Sequence, residues 1–470
     1  MTTAGRLTRR LRTVLRREAQ GFLHAGPRTV QLMRPLGPQV PSDARVQQVL
    51  DLCMQVGEVL LSSGENADET TRTMLRLASA CGLSAVDVDI TFTSITMCCH
   101  RGMAAAPVTT MRLVRYRSLD LTRLAEVASI VDRVERAELD AEGAAALLAE
   151  ACSAPHPYPR WVATTGWAGL AASIALLLGA APLTAFAAFV VTGLIDRTGR
   201  VLNRWGLPMF FQQVVGGMLA TGATLALFAT GVFPPGTRPS LVVAACITVL
   251  LSGLSVVGTV QDAISGYYVT CAGRAAEIML LSAGLLTGVV VGLKIGFTFG
   301  LALEVAGELP SGAGQFSISL LAAAGAAAAF SLAGYARLRP LLIAGLAGAA
   351  GWGTYGALTQ LLEVGPVAAT GAAAVVVGIA TGLLRRGDGG VSPLVVTLAG
   401  ITPLLPGLTA YRGFYQLAVE GLADGLVTVT VALGIGLAIA AGVVFGDFIA
   451  RPRRTPVTSL AEPPEDGDRQ

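Results

Sequence analysis

Charge is scarce in this 470-residue chain: Asp, Glu, Lys and Arg make up 14% of it, and most of them precede Arg160. From Trp161 to Ile449 the sequence is a series of apolar blocks rich in Ala, Gly, Leu and Val. Most blocks are about 17–25 residues long, enough as helices to cross a hydrocarbon core of ~30 Å. A wholly soluble protein is therefore excluded. Lysine is nearly absent, with Lys294 the only one, so arginine carries the positive charge. The net charge of +3 gives no basis for a nucleic-acid partner. None of the seven cysteines forms a CxxC pair, and no second cluster completes Cys98-Cys99-His100 as a metal site. The pair is read as a buried strand end, and no metal or cofactor is expected. GxSxG, Walker and HExxH motifs are also missing, which argues against an enzyme. No apolar h-region precedes a cleavage site near the start, so no signal peptide is expected.

Residues 1–42 are basic and broken by Pro27, Pro35, Pro38 and Pro41. They read as a partly disordered tail, whose GRLTRRLRTVLRREAQGFL stretch would form a basic amphipathic face suited to anionic lipid. Residues 43–155 read as a soluble α+β domain. Val46, Val49, Leu50, Cys53, Val56 and Leu60 share one helix face up to about Ser62, and Gly64 ends that helix. A second helix, capped by Asn66 or Asp68, closes at Gly82. The period then changes to that of strands at 85–91, 93–98 and 109–115. Two helices follow, at about 121–136 and 141–151, giving the order ααβββαα. Asp87 and Asp89 alternate on one strand as solvated residues, and the domain reads as a cytosolic accessory or regulatory unit.

Ten membrane segments follow, at about 161–180, 182–196, 208–232, 240–262, 271–293, 317–336, 340–362, 366–384, 391–409 and 424–449. With the soluble domain inside, the inner connections hold Arg197, Arg200, Arg204, Arg274, Arg337, Arg339, Arg385, Arg386, Arg451, Arg453 and Arg454. The outer ones hold only Arg238, Lys294 and Arg412. This asymmetry follows the positive-inside rule and places both termini in the cytoplasm. Residues 451–470 read as a disordered cytosolic tail.

One stretch organises the rest: LSGLSVVGTVQDAISGYYVTCAGRAAEIML, residues 251–280, which sets Gln261, Asp262 and Gly266 inside apolar sequence. A charge at the bilayer centre costs at least ~2.5–3.5 kcal/mol, so such a residue faces protein or an aqueous cavity. The pattern recurs 147 residues on without a gap, Gly253 falling on Gly400, Gly266 on Gly413, Tyr268 on Tyr415 and Glu277 on Asp424. Five crossings in each of 160–300 and 316–450 would invert the second half relative to the first, the inverted-repeat plan of many secondary transporters. Pro403, Pro406 and Gly407 interrupt the ninth segment near Thr402, and Gly258 and Gly266 would loosen the fourth. Opposed half-helices present amide ends to a carboxylate and carbonyl ends to a cation, which suits an amino acid. Asp262 reads either as the partner of an ammonium group or a coupling proton, or as a helix-end cap. Arg274 and Glu277 read as a local pair, Gln212 and Gln213 as a polar path or helix glue, and Gly216-Gly217, Gly345/Gly348 and Gly378/Gly382 as packing positions.

QDAISGYYVTCAGRAAE resembles the membrane motif of bacterial threonine/serine exporters, in which an Asp, a Gly four residues on and a later Gly-Arg follow a Pro-Gly break. LSSGENADETTRTMLRLASACGL resembles that family's soluble region, and ITPLLPGLTAYRG its second Pro-Gly motif. The resemblance covers about residues 43–450. Val257-Gly258-Thr259 departs from it, standing where a Pro-Gly would be expected. The likeness implies an inner-membrane carrier of ten helices that exports threonine and serine at the expense of the proton motive force. Asp262, Gly266, Gly273, Arg274, Pro406 and Gly407 would then be motif residues. The residues alone also leave open a membrane-anchored enzyme using His100 and Asp89, or a channel.

Overall fold

The computed structural model describes residues 42–101, 105–114, 119–234, 237–251, 253–300, 313–384, 393–419 and 422–450. The two expected tails lie outside these residues apart from Ser42, as do Glu304, Glu308 and Pro310.

The soluble domain is built from α1 (Asp43–Ser62), α2 (Ala67–Ala80), β1 (Val86–Thr91), β2 (Ser94–Cys99), β3 (Val108–Leu113), α3 (Leu121–Glu135) and α4 (Ala141–Ser153). Gly64 and Gly82 take φ of +96° and +90°, the left-handed region that lets glycine end a helix. The Asn66 side chain accepts from the Glu69 N–H and so caps α2. The three strands form an antiparallel sheet in the order β1-β2-β3, pairing Val88 with Met97 and Met97 with Thr110. Ile90, Ile95, Met97 and Cys99 turn inward onto α1 and α2, while Asp87 and Asp89 face solvent. Burial raises the pKa of the Cys53, Cys81, Cys99 and Cys152 thiols, so they remain protonated and weakly nucleophilic at neutral pH.

Twelve further α-helices follow: α5 (Arg160–Leu177), α6 (Pro182–Arg204), α7 (Met209–Ala229), α8 (Pro239–Leu250), α9 (Gly253–Ile264), α10 (Tyr268–Thr298), α11 (Ala313–Ala333), α12 (Leu338–Leu361), α13 (Pro366–Leu384), α14 (Pro393–Ile401), α15 (Gly407–Val419) and α16 (Leu422–Ala450). Among the described residues, six helices are long and apolar enough to cross a membrane. The α8–α9 pair, bent by 46°, makes a seventh if counted as one span. α6 carries Asp196, Arg197, Arg200 and Arg204 in its last third, which sets it apart from those six.

Close backbone approach holds the long helices together. Gly284, Gly288 and Gly292 of α10 lie against Phe210, Val214 and Thr221 of α7. A Cβ at Gly288 would overlap the Val214 carbonyl. In the same way Gly442 and Gly446 of α16 face the Gly371 and Val375 carbonyls of α13. Without hydrophobic drive between helices in lipid, such small-residue contacts and the dispersion they permit supply the packing. Gly166 of α5 sits 2.5 Å, measured from a built Cβ, from the Ala333 amide of α11, and that contact joins the two halves.

The helix bounds recur, but not at the expected register. The short helices α9 and α15 begin at 253 and 407, and the long helices α10 and α16 at 268 and 422, a shift of 154 in both cases. The shift of 147 pairs Gly266, in a turn at φ +91°, with Gly413, inside α15. Glycine-rich apolar sequence produces such coincidences of small residues. The fourth segment also differs from expectation. Its break follows Leu250, where α8 ends, and Gly258 lies inside α9.

Gly288→Leu is expected to collapse the fraction that runs as folded protein in detergent, because the side chain has only the Val214 carbonyl to enter. Gly222→Ala, whose Cβ meets nothing within 4 Å, should leave it unchanged. Size-exclusion profiles of the two variants check this.

Candidate functional site

Two helix breaks meet inside the helical region. The first separates α8 from α9. The second is a 3-10 turn at Thr402–Leu404 followed by Leu405 and Pro406, after which α15 starts. Pro403 and Pro406 lack the amide that a continuous helix needs, so the interruption is written into the sequence. Gly407, the first residue of α15, lies directly on the Thr248 side chain of α8, where any Cβ would overlap it.

Beside this crossing is a cavity of about 210 Å³. Thr248, Leu250, Leu251, Thr402 and Leu405 line it from the two breaks. Trp167, Phe330 and Leu119 close it from α5, α11 and the segment before α3. Its polar groups are few. The Thr248 hydroxyl donates to the Ala244 carbonyl at 2.8 Å and that of Thr402 to Leu398 at 2.9 Å, and each oxygen keeps acceptor capacity. The Gln213 amide reaches the Leu250 carbonyl at 3.5 Å, a carbonyl released by the first break. Gln212 donates instead to Leu207 at 2.7 Å, securing the start of its own helix.

Asp262 lies elsewhere, at the end of α9 where the soluble domain docks. It is fully buried. One carboxylate oxygen pairs with Arg274 Nη1 at 2.7 Å, and the other accepts the Ala67 N–H at 2.8 Å. Ala67 opens α2, so a membrane-region carboxylate occupies the amide-positive end of a soluble-domain helix. Arg274 Nη2 donates to the Glu65 carbonyl at 3.2 Å. Tyr267 donates to Thr71 Oγ1 at 3.0 Å, Thr270 donates to the Ile90 carbonyl at 2.9 Å, and Gly273 underlies the Phe92 ring. Asp262 therefore caps a helix of the soluble domain and not an end of its own helix. Arg274 thus has an ion pair with Asp262, twelve residues back across the α9–α10 corner. Glu277 is half-buried one turn further along α10, Gln261 is half-buried on α9, and Gly266 turns the corner.

At the equivalent place in the second half, Thr428 of α16 donates to Gln416 of α15 at 2.6 Å. A shift of 154 carries Asp262 to Gln416 and Arg274 to Thr428. The ionic link between short and long helix in one half is a neutral link in the other.

A family model described as "Putative threonine/serine exporter" matches residues 51–296, and one described as "Threonine/Serine exporter, ThrE" matches residues 315–449. A "Probable threonine/serine exporter" of Mycobacterium tuberculosis is 38% identical over 428 residues, covering 88% of this chain and 78% of that protein. A "Threonine/serine exporter" of Corynebacterium glutamicum is 35% identical over 430 residues, 90% of this chain and 87% of that protein. The chain belongs to the threonine/serine exporter family. No solved structure matches it. As a member of this family it is a multi-pass membrane transporter rather than an enzyme.

The exporter's cavity contains one residue singled out from sequence, Thr402, with Pro403, Pro406 and Gly407 shaping the break around it. Thr248, Trp167 and Phe330 gave no sequence signal, because Thr and aromatic residues inside apolar helices are ordinary. Only their convergence distinguishes them.

Removing one member of a buried ion pair costs ~3–5 kcal/mol, since the other charge stays buried. Arg274→Met is therefore expected to lower thermal stability strongly, and Asp262→Asn in the same chain to recover much of the loss. Melting curves of purified wild type, single and double variants read this.

Proposed function

We propose that this protein is a secondary exporter of small neutral amino acids, threonine and serine among them. It works by proton antiport and alternating access around the two broken helices. The membrane domain comprises ten spans in two five-helix halves of opposite topology, in a bacterial inner membrane with both termini cytoplasmic. Support for the substrate class comes from the names of the two relatives and from the chemistry of the cavity.

The observation that carries the reading is the cavity at the crossing of the breaks. A neutral amino acid is a zwitterion. Helix α8 and the 3-10 turn end there, offering carbonyl oxygens to an ammonium group. Helix α15 begins two residues after Leu405, and its amide-positive end favours a carboxylate. Thr248 and Thr402 add hydroxyls, and the apolar remainder accommodates a short side chain. Non-helical backbone at membrane depth is tolerated only where protein or a cavity surrounds it, as here. The recurrence of helix bounds at 154 residues and the matching glycine contacts support two related halves. The arginines at 197–204, 337–339 and 385–386 support the orientation.

Efflux of labelled threonine from preloaded proteoliposomes with an imposed pH gradient is expected to saturate and to stop when the gradient is collapsed. Thr248→Val and Thr402→Val should each raise KM several-fold at similar protein abundance. Unchanged KM in both removes the hydroxyls from recognition, and no saturable efflux of threonine or serine from the wild type removes the substrate class.

A further inference from the structure

The soluble domain does more than sit beside the helices: one of its residues forms part of the cavity wall. Leu119 lines the cavity together with Trp167 and Phe330 and packs against Gly334 at the end of α11. The segment that carries it is tied to the α11–α12 turn. The Leu121 N–H donates to the Gly334 carbonyl at 2.9 Å, and the Thr122 hydroxyl to the Tyr335 carbonyl at 2.5 Å. Asp120 caps α3 through the Thr122 and Arg123 amides and meets His156 Nδ1 at 2.9 Å. His156 in turn stacks on Tyr335, ring centroids 4.3 Å apart. The same domain grips the α9–α10 corner through Asp262, Arg274, Tyr267 and Thr270. It thus bridges a turn from each half, one of them the end of a broken helix.

We propose that the soluble domain is the gate on its own side of the cavity. Leu119 is the plug, and docking on the two turns holds it in place. Four features carry this. The plug is apolar and fits an apolar mouth. Its anchors across the interface are hydrogen bonds, from Leu121, Thr122, Ala67 and Tyr267 among others, with the exposed Arg337–Glu126 ion pair beside them, and such contacts can be replaced by water when the domain lifts. The anchored turns belong to different halves, so any motion of one half against the other must strain or release the domain. Interfaces between domains of one chain permit relative motion as the default, and here, among the described residues, only Ala336, Val395, Tyr267 and Leu398 of the helical region join the domain's apolar core. The inference rests on the export reading above and specifies how the cavity opens on one side.

A covalent lock tests it. A Cβ built on Gly273 lies 3.3 Å from Phe92 Cβ, close to the ~3.5–4.5 Å span of disulfides. Phe92→Cys with Gly273→Cys therefore clamps the domain to the corner on oxidation. The experiment uses full-length protein in proteoliposomes with Cys98, Cys152 and Cys271 changed to Ser, and labelled threonine as the probe. Efflux is expected in the reduced double variant, lost on oxidation and restored by dithiothreitol, while each single-cysteine variant ignores oxidant. Equal efflux from the fully cross-linked and reduced forms overturns the gate. Absence of efflux from the wild type instead overturns the export reading. Leu119→Ala provides a second reading that needs no disulfide: it is expected to speed leak of threonine without a pH gradient, and a leak identical to wild type removes Leu119 as the plug.

Discussion

Two pairs of long helices approach one another until only hydrogen separates their backbones, and the remaining architecture hangs on those contacts. Helix α10 against α7 and α16 against α13 are joined where Gly288, Gly442 and Gly446 meet facing carbonyls. In lipid, apolar side chains gain little by leaving one hydrocarbon surface for another, so tight packing must supply the adhesion. Glycine at those positions is required by space. With the long pairs fixed, the broken helices can be irregular without unravelling the domain. Arm α9 packs across onto α16, where Gly436 meets Val256, and α15 packs onto α8, where Gly407 meets Thr248. Each interruption is thereby sealed by the opposite half, which satisfies the rule that unpaired backbone must not face lipid.

How much of this could be read from residues alone depended on how local the cause was. The soluble domain was legible nearly to the residue. Asn66, Gly64 and Gly82 act within one turn, and the alternation of β1 and β2 is visible in sequence. The break at 402–407 was legible because proline carries its effect at its own position. The break between α8 and α9 was not, since neither proline nor a charge marks it, and Gly258 drew attention to the wrong turn of the same segment. Asp262 was singled out correctly as a costly buried charge. Its partners, Ala67 and Glu65, lie about two hundred residues away, and no local pattern could name them. The cavity residues Thr248, Trp167 and Phe330 come from three different helices and were invisible for the same reason. The residue matches at 147 do not coincide with the helix bounds: small residues match easily at many shifts, whereas the starts of α8, α9 and α10 recur at 154 in α14, α15 and α16.

The two corners at which a short helix meets a long one are held by different chemistry. Half one ties short helix to long by a buried ion pair that also holds a soluble domain. Half two uses a hydroxyl and an amide.

That difference bears on energy balance. A carrier that works by letting its halves exchange shapes spends equal time in each arrangement only if the two arrangements are equal in energy. Here the buried ion pair belongs to one half only, while the domain docked on it also holds the α11–α12 turn of the other. Each ~1.4 kcal/mol of docking energy shifts the resting populations tenfold. On the alternating-access cycle proposed above, that asymmetry biases the protein toward one resting side, and loosening the domain reduces the bias.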